Sequence, residues 1–293
     1  MRRLRFATLD VFTTRPLEGN PLAVFPDAAG LTDAEMQAIA REMNLSETTF
    51  VFRRDPATER ARGIRTRIFT TREEMPFAGH PTLGTAAVLR ELGAGDAVPL
   101  ELNVGTVPVR FTDRGGRPFG EMTQIDPTFG QVHDRARVAE AIGVPAEELD
   151  PKLPIQTVST GNPIAIVPFV RLSTLTAWAP DWNRMERYLR TTDARFFYAV
   201  SRETVASDVQ LHARMIFYGG DDPATGSAGG PAAAWMVRNA LVPSGAPVEI
   251  EQGLEIHRPS RISARADLEG DTVTNVRVGG FYALEIDGEF RLP

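Results

Sequence analysis

The chain has no cysteine. That absence removes disulfides, thiolate metal centres, persulfide chemistry and any cysteine proton shuttle, and it fits a reducing compartment. Histidine is scarce too: His80, His133, His212 and His257 are scattered, with no H-E-x-x-H spacing, so no metal is expected. There is no G-x-G-x-x-G after a strand. "GDDPATGS" (220–227) imitates a phosphate loop but lacks its lysine, so no nucleotide cofactor is expected. No apolar run approaches the roughly 18 residues of a membrane span, and "MRRLRFATLDVFTT" has no apolar leader core. We therefore expect a soluble, cytoplasmic protein without a membrane partner. The 32 basic and 38 acidic side chains sum to −6 without long like-charge runs, so nucleic acid is not an expected partner.

What the chain does contain is itself, twice. "GNPLAVF" begins at Gly19, and "GNPIAIV" begins at Gly161, 142 residues later (161 − 19). The first is followed by "LTDAEMQAIAREM" (31–43), whose apolar residues recur at helical spacing behind Thr32 and Glu35, a capping pair. The second is followed by "WAPDWNRMERYL", also helical. Aromatic and β-branched stretches come next, "TTFVF" (48–52) and "RFFYAV" (195–200), which read as buried strands. The strands "IRTRIFT" (64–70) and "LHARMIFY" (211–218) then correspond at an offset of 148, and "AGHPTLGTAAVL" answers "TGSAGGPAAAWM" at 147. This order predicts a duplicated α+β fold of two pseudo-symmetric lobes. The lobes are read as 1–127 and 128–278, with a junction at "DPTFGQ" (126–131), where Pro and Gly break the pattern. The tail "TVTNVRVGGFYALEIDGEF" (272–290) reads as a hairpin or paired strands. Its lobe stays open, with 279–293 a candidate addition to the first.

Each half carries a glycine turn before a helix that is apolar nearly all round, hence buried. Pro81 suits a first helical position and Gly93 a stop. Pro231 fits only if the second helix begins near Gly230, or if Pro231 lies in the first turn. Gly79-His80 and Gly226-Ser227 sit at the two helix mouths, where unpaired N–H groups and the helix dipole favour an anion. The alternative is plain capping by Thr82, Ser227 or Asp222. Among ionisable groups, His80 stands at a mouth, whereas His133 and His257 read as surface residues. Glu47, in "NLSETTF", lies between a helix and a buried strand, where it is either a solvated turn glutamate or a carboxylate aimed into a cleft. Its match in the second half is Asp193 or Ala194. Of Asp221 and Asp222, one would cap the helix and the other handle protons or orient a ligand.

Taken in order, "GNPLAVF", "LSETTFV", "FAGHPTLG" and "DPATGSA" resemble the PhzF-like family of phenazine-biosynthesis isomerases, over residues 8 to 236 at least. The resemblance implies the diaminopimelate-epimerase fold: two lobes, each a curled, mostly antiparallel sheet around a central helix, with the site in the cleft between them. It implies Glu47 as general acid/base, with His80 and Asp222 completing the polar site. Asn20, Gly79, Gly226 and Ser227 would bind a small carboxylated, cyclic substrate. It further implies a cofactor-free proton shift like the isomerisation of trans-2,3-dihydro-3-hydroxyanthranilate, and a homodimer. The alternatives are a non-thiol epimerase or racemase of an amino or hydroxy acid, and a catalytically silent binding protein. The paired-cysteine mechanism of the epimerases on this scaffold is excluded by composition.

Overall fold

The structure, a computed structural model, describes residues 1–217 and 220–292. Tyr218, Gly219 and Pro293 lie outside the described residues, and with them the last residue of the expected strand 211–218 and the last of the tail. The chain forms two compact units, one of residues 1–123 with 279 onward, the other of residues 124–278. The division thus falls at Thr123/Gln124 rather than at 127/128.

The class is α+β, and the two units repeat one order of pairings. In the first, the sheet runs Tyr282–Leu292, Arg2–Val11, Asn20–Phe25, Glu47–Phe52, Ile64–Thr70, Leu100–Leu102, Gly105–Val107. The strand of the repeated phrase lies parallel to the aromatic strand, Leu22 opposite Glu47. That strand pairs antiparallel with the next, Phe50 opposite Arg67. Ile64–Thr70 is again parallel to the strand beyond the buried helix, Ile64 opposite Leu100. The second unit does the same with Ile164 opposite Phe196, Tyr198 opposite Met215, and Leu211 opposite Ile250. Both sheets are therefore mixed. A parallel pair needs a crossover long enough to carry the chain back, and the helices of the sequence pattern supply it.

Asp33–Met43 is one such crossover. Thr32 accepts the Glu35 N–H while the Glu35 carboxylate accepts the Thr32 N–H, the reciprocal cap that the sequence predicts. Its buried Met36, Ile39 and Ala40 join a core with Phe25, Phe50 and Phe69. There the Phe25 and Phe50 rings stack at 5.2 Å and Phe69 meets Phe50 edge-on at 5.6 Å. Gly79–Leu89 is buried at every residue, and it packs against strands of its own unit. Gly226–Arg238 is likewise buried through Val237. Helices of this kind have no solvent face, which is why their sequences show no polar stripe.

The repeated "GNP" owes its glycine to backbone geometry. Gly19 has φ +70° and Gly161 φ +121°, a region that disfavours any residue with a Cβ. A Cβ on Gly19 would also come within 2.4 Å of the Val11 carbonyl oxygen. Gly19→Ala should therefore lower stability by about 2–3 kcal/mol. An unchanged urea midpoint would contradict this reading.

Several expectations are corrected. Pro231 lies well inside its helix, beyond the first turn, so the Ser227 carbonyl receives no N–H from it. The Gln124 amide donates to the neighbouring Gly226 carbonyl at 3.1 Å. The supposed break at 126–131 contains a strand, Thr128–Val132, paired with Gln156–Ser159. The tail is not a hairpin. Thr272–Gly280 runs beside Ser260–Glu269, whereas Tyr282–Leu292 pairs antiparallel with Arg2–Val11 in the first unit. His133 is buried, its ring bonded to the Tyr188 hydroxyl at 3.1 Å and the Thr157 hydroxyl at 2.8 Å. His257 is exposed, as expected. The position matching Glu47 is neither Asp193 nor Ala194. The antiparallel pairs, Phe50 opposite Arg67 and Tyr198 opposite Met215, set Glu47 against Arg195 (47 + 148), and the parallel pairs, Leu22 opposite Glu47 and Ile164 opposite Phe196, set it against Phe196. Asp193 instead accepts from the Gln131 N–H and the Thr157 hydroxyl.

Candidate active site

In the first unit the sheet and the Gly79 helix bring Asn20, Glu47, Gly79 and His80 together. Asn20 is fully buried at the start of its strand, and Glu47 is buried at the start of the next. His80 is the second residue of the helix, and its Nε2 stands 3.6 Å from Glu47 Oε2. A ring N–H of His80 donates to the Pro21 carbonyl, and Nε2 makes no hydrogen bond. The donor is therefore Nδ1, and Nε2 presents a lone pair toward the carboxyl group. Complete burial pushes the His80 pKa down to about 3, so the ring is neutral at physiological pH. A neutral acceptor beside a carboxylate favours a shared proton or a substrate O–H or N–H between them.

The mouth of this helix has no side-chain cap. Thr82, a candidate cap, turns its hydroxyl back to the Ala78 carbonyl at 2.7 Å. Pro81 contributes no amide to the first turn, and the Thr82 N–H is bonded to the Ala78 carbonyl.

The second unit assembles Asp222, Gly226 and Ser227 around its own helix mouth. Thr225 precedes the helix yet does not cap it. Its hydroxyl instead donates to Asp222 Oδ2 at 2.5 Å, while its carbonyl accepts the Ala228 and Gly229 N–H groups. Of the adjacent aspartates, Asp221 is gripped by Arg214 through Nε at 2.9 Å and Nη2 at 3.0 Å. Its Nη1 donates to the Leu175 and Trp178 carbonyls, so Asp221 is a structural anchor. Asp222 remains the candidate for chemistry.

Sequence reasoning missed Pro21, Thr225, Tyr198 and Gln252. The Tyr198 hydroxyl and the Thr225 N–H both donate to Gln252 Oε1, contacts that bridge 54 and 27 residues. No local spacing signals them. Among the described residues no cluster of His, Asp and Glu suits a metal ion, and no helix is long and apolar enough to cross a membrane.

The fold is that of the racemases and epimerases: a probable proline racemase from Agrobacterium radiobacter superposes with a TM-score of 0.67 at 11% identity, covering 99% of this chain and 93% of that one. Within that fold, residues 9–288 match the family described as phenazine biosynthesis-like protein, PhzC-PhzF, and the chain belongs to this family, as one of its isomerases. It is 36% identical over 288 residues to trans-2,3-dihydro-3-hydroxyanthranilate isomerase of Pseudomonas aeruginosa, covering 97% of this chain and 98% of that protein. A structure of a predicted epimerase from Pseudomonas aeruginosa is also 36% identical, with a TM-score of 0.85, over 99% of this chain and 100% of that one.

Proposed function

We propose that this isomerase moves a proton within a small carboxylated, cyclic substrate, trans-2,3-dihydro-3-hydroxyanthranilate or a close analogue, without a cofactor. The observation that carries the reading is the buried Glu47 carboxyl facing the lone pair of a neutral His80 at 3.6 Å. Glu47 takes the proton from one ring carbon and, as the acid, returns it elsewhere on the conjugated system. His80 accepts a hydrogen bond from Glu47 when that group is protonated, or from the substrate, and so steers the proton. Asp222 is the second polar group of the reaction. Each unit has amides at its own helix mouth, Gly79-His80 in the first and Gly226-Ser227 in the second, of the kind that suits a carboxylate, and Asn20 adds a side-chain contact in the first. One carboxylate suffices for a proton moved along one molecule, which agrees with a chain that has no thiols.

The test is incubation of the protein with trans-2,3-dihydro-3-hydroxyanthranilate in D2O, followed by NMR. Consumption with deuterium appearing on the ring supports the proposal. Deuterium entering a stereocentre of an amino or hydroxy acid with inversion would replace it with epimerisation. Failure of every carboxylated cyclic ligand both to exchange and to raise the melting temperature would overturn it.

A further inference from the structure

Gln252 ends the strand Val248–Gln252 with no solvent exposure, and both ends of its amide are used. Oε1 accepts from the Tyr198 hydroxyl at 3.0 Å and from the Thr225 N–H at 3.2 Å. Nε2 donates to the Asp222 carbonyl at 2.7 Å and to Thr225 Oγ1 at 2.9 Å. The orientation admits no flip, because the Thr225 N–H can only donate and the Asp222 carbonyl can only accept. The consequence passes to Thr225. With its oxygen receiving the Gln252 proton, its own hydroxyl proton goes to Asp222 Oδ2. A Thr at that position would otherwise turn its oxygen to the second or third amide of its helix. Here it is diverted, so the mouth stays uncapped and the carboxylate is held.

We propose that Gln252, braced by Tyr198, is a positioning residue for the isomerisation: it sets the direction of the Thr225 hydroxyl, and thereby both the ionised state and orientation of Asp222 and the openness of the Gly226-Ser227 amides. The inference rests on reading Asp222 as a group of the active site. The other ionisable groups on these strands are committed elsewhere. Asp221 is bound by Arg214, Glu251 and Glu255 flank His212 at 3.0 and 2.8 Å, and the Tyr198 phenol is kept protonated by burial.

The experiment follows the Asp222 carboxyl by 13C NMR titration, and turnover against pH, in Gln252→Leu, Thr225→Val and Thr225→Ser. Losing the charge-directed donor should raise the Asp222 pKa by about one unit in Gln252→Leu and Thr225→Val. In Gln252→Leu kcat should fall about tenfold with KM within about threefold, since the interaction acts on a reacting group and not on substrate affinity. Thr225→Ser, which keeps the hydroxyl, should restore the wild-type titration. A folded Gln252→Leu protein with unmoved Asp222 titration overturns the proposal alone. A moved titration with an unmoved pH profile of turnover overturns it together with the reading of Asp222. Should Gln252→Leu not fold, the comparison of Thr225→Val with Thr225→Ser decides the same question.

Discussion

Glu47→Gln lowers kcat by about 1,000-fold or more, within the range for loss of a general acid/base, while leaving ligand binding within about threefold. The substitution keeps the shape and nearly the volume of the side chain. A Gln amide keeps a polar group facing His80 Nε2, which stands 3.6 Å from Glu47 Oε2, while the exchangeable carboxyl proton is lost. Stability should hold or rise slightly, because a buried ionisable group gives way to a neutral one. Deuterium exchange into substrate, measured with a thermal melt and a binding isotherm on one preparation, separates these effects. Turnover within tenfold of wild type would remove Glu47 from the chemistry. Glu47→Asp should fall between the two, since one methylene less withdraws the carboxyl by more than a general base tolerates.

The second large effect is on stability in acid. His80 has a pKa of about 3 in the fold because of burial, whereas an unfolded histidine titrates near 6.5. The depressed group contributes stability that is present above the unfolded value. That stability is lost as pH falls toward the folded value, because the unfolded chain binds a proton the fold refuses. Over that window the loss is on the order of 4 kcal/mol. His133, lowered by burial, acts in the same direction. His212 opposes both: flanked by Glu251 and Glu255, its pKa is raised, so its contribution is present in acid and lost as pH rises through the raised value. Urea melts between about pH 4 and 7 should therefore show a steep acid decline in the wild type that His80→Asn flattens. An unflattened decline would mean that the imidazole is not held neutral. A group titrating near 3 also contributes no limb to a pH–rate profile at neutral pH, so the neutral His80 would act as an acceptor throughout.

Much of the scaffold was legible from local sequence. The 31–43 helix was announced by Thr32 and Glu35, and its cap forms as read. The strand Ile64–Thr70 has the expected bounds. The duplicated phrase marked duplicated topology because both copies make the same parallel and antiparallel pairings. The errors have physical causes. His133 looked exposed because its partners Tyr188 and Thr157 are distant in sequence. Pro231 looked like a helix boundary because local rules count the lost N–H. The helix nevertheless runs through Pro231 to Arg238.

The sequence by itself determined the exclusions that follow from having no cysteine and, through its motifs, the family, whose resemblance proposes Glu47, His80 and Asp222 as site residues. Those properties depend on composition and on short motifs, which a linear string contains in full. Only the tertiary structure decided the state of each group. The Pro21 carbonyl fixes which nitrogen of His80 bears the proton. Arg214 pairs with Asp221, and Gln252 and Tyr198 turn Thr225 toward Asp222 rather than toward its own helix. A proton's position depends on which donors and acceptors meet it within about 3 Å, and folding alone brings those together from residues dozens of positions apart.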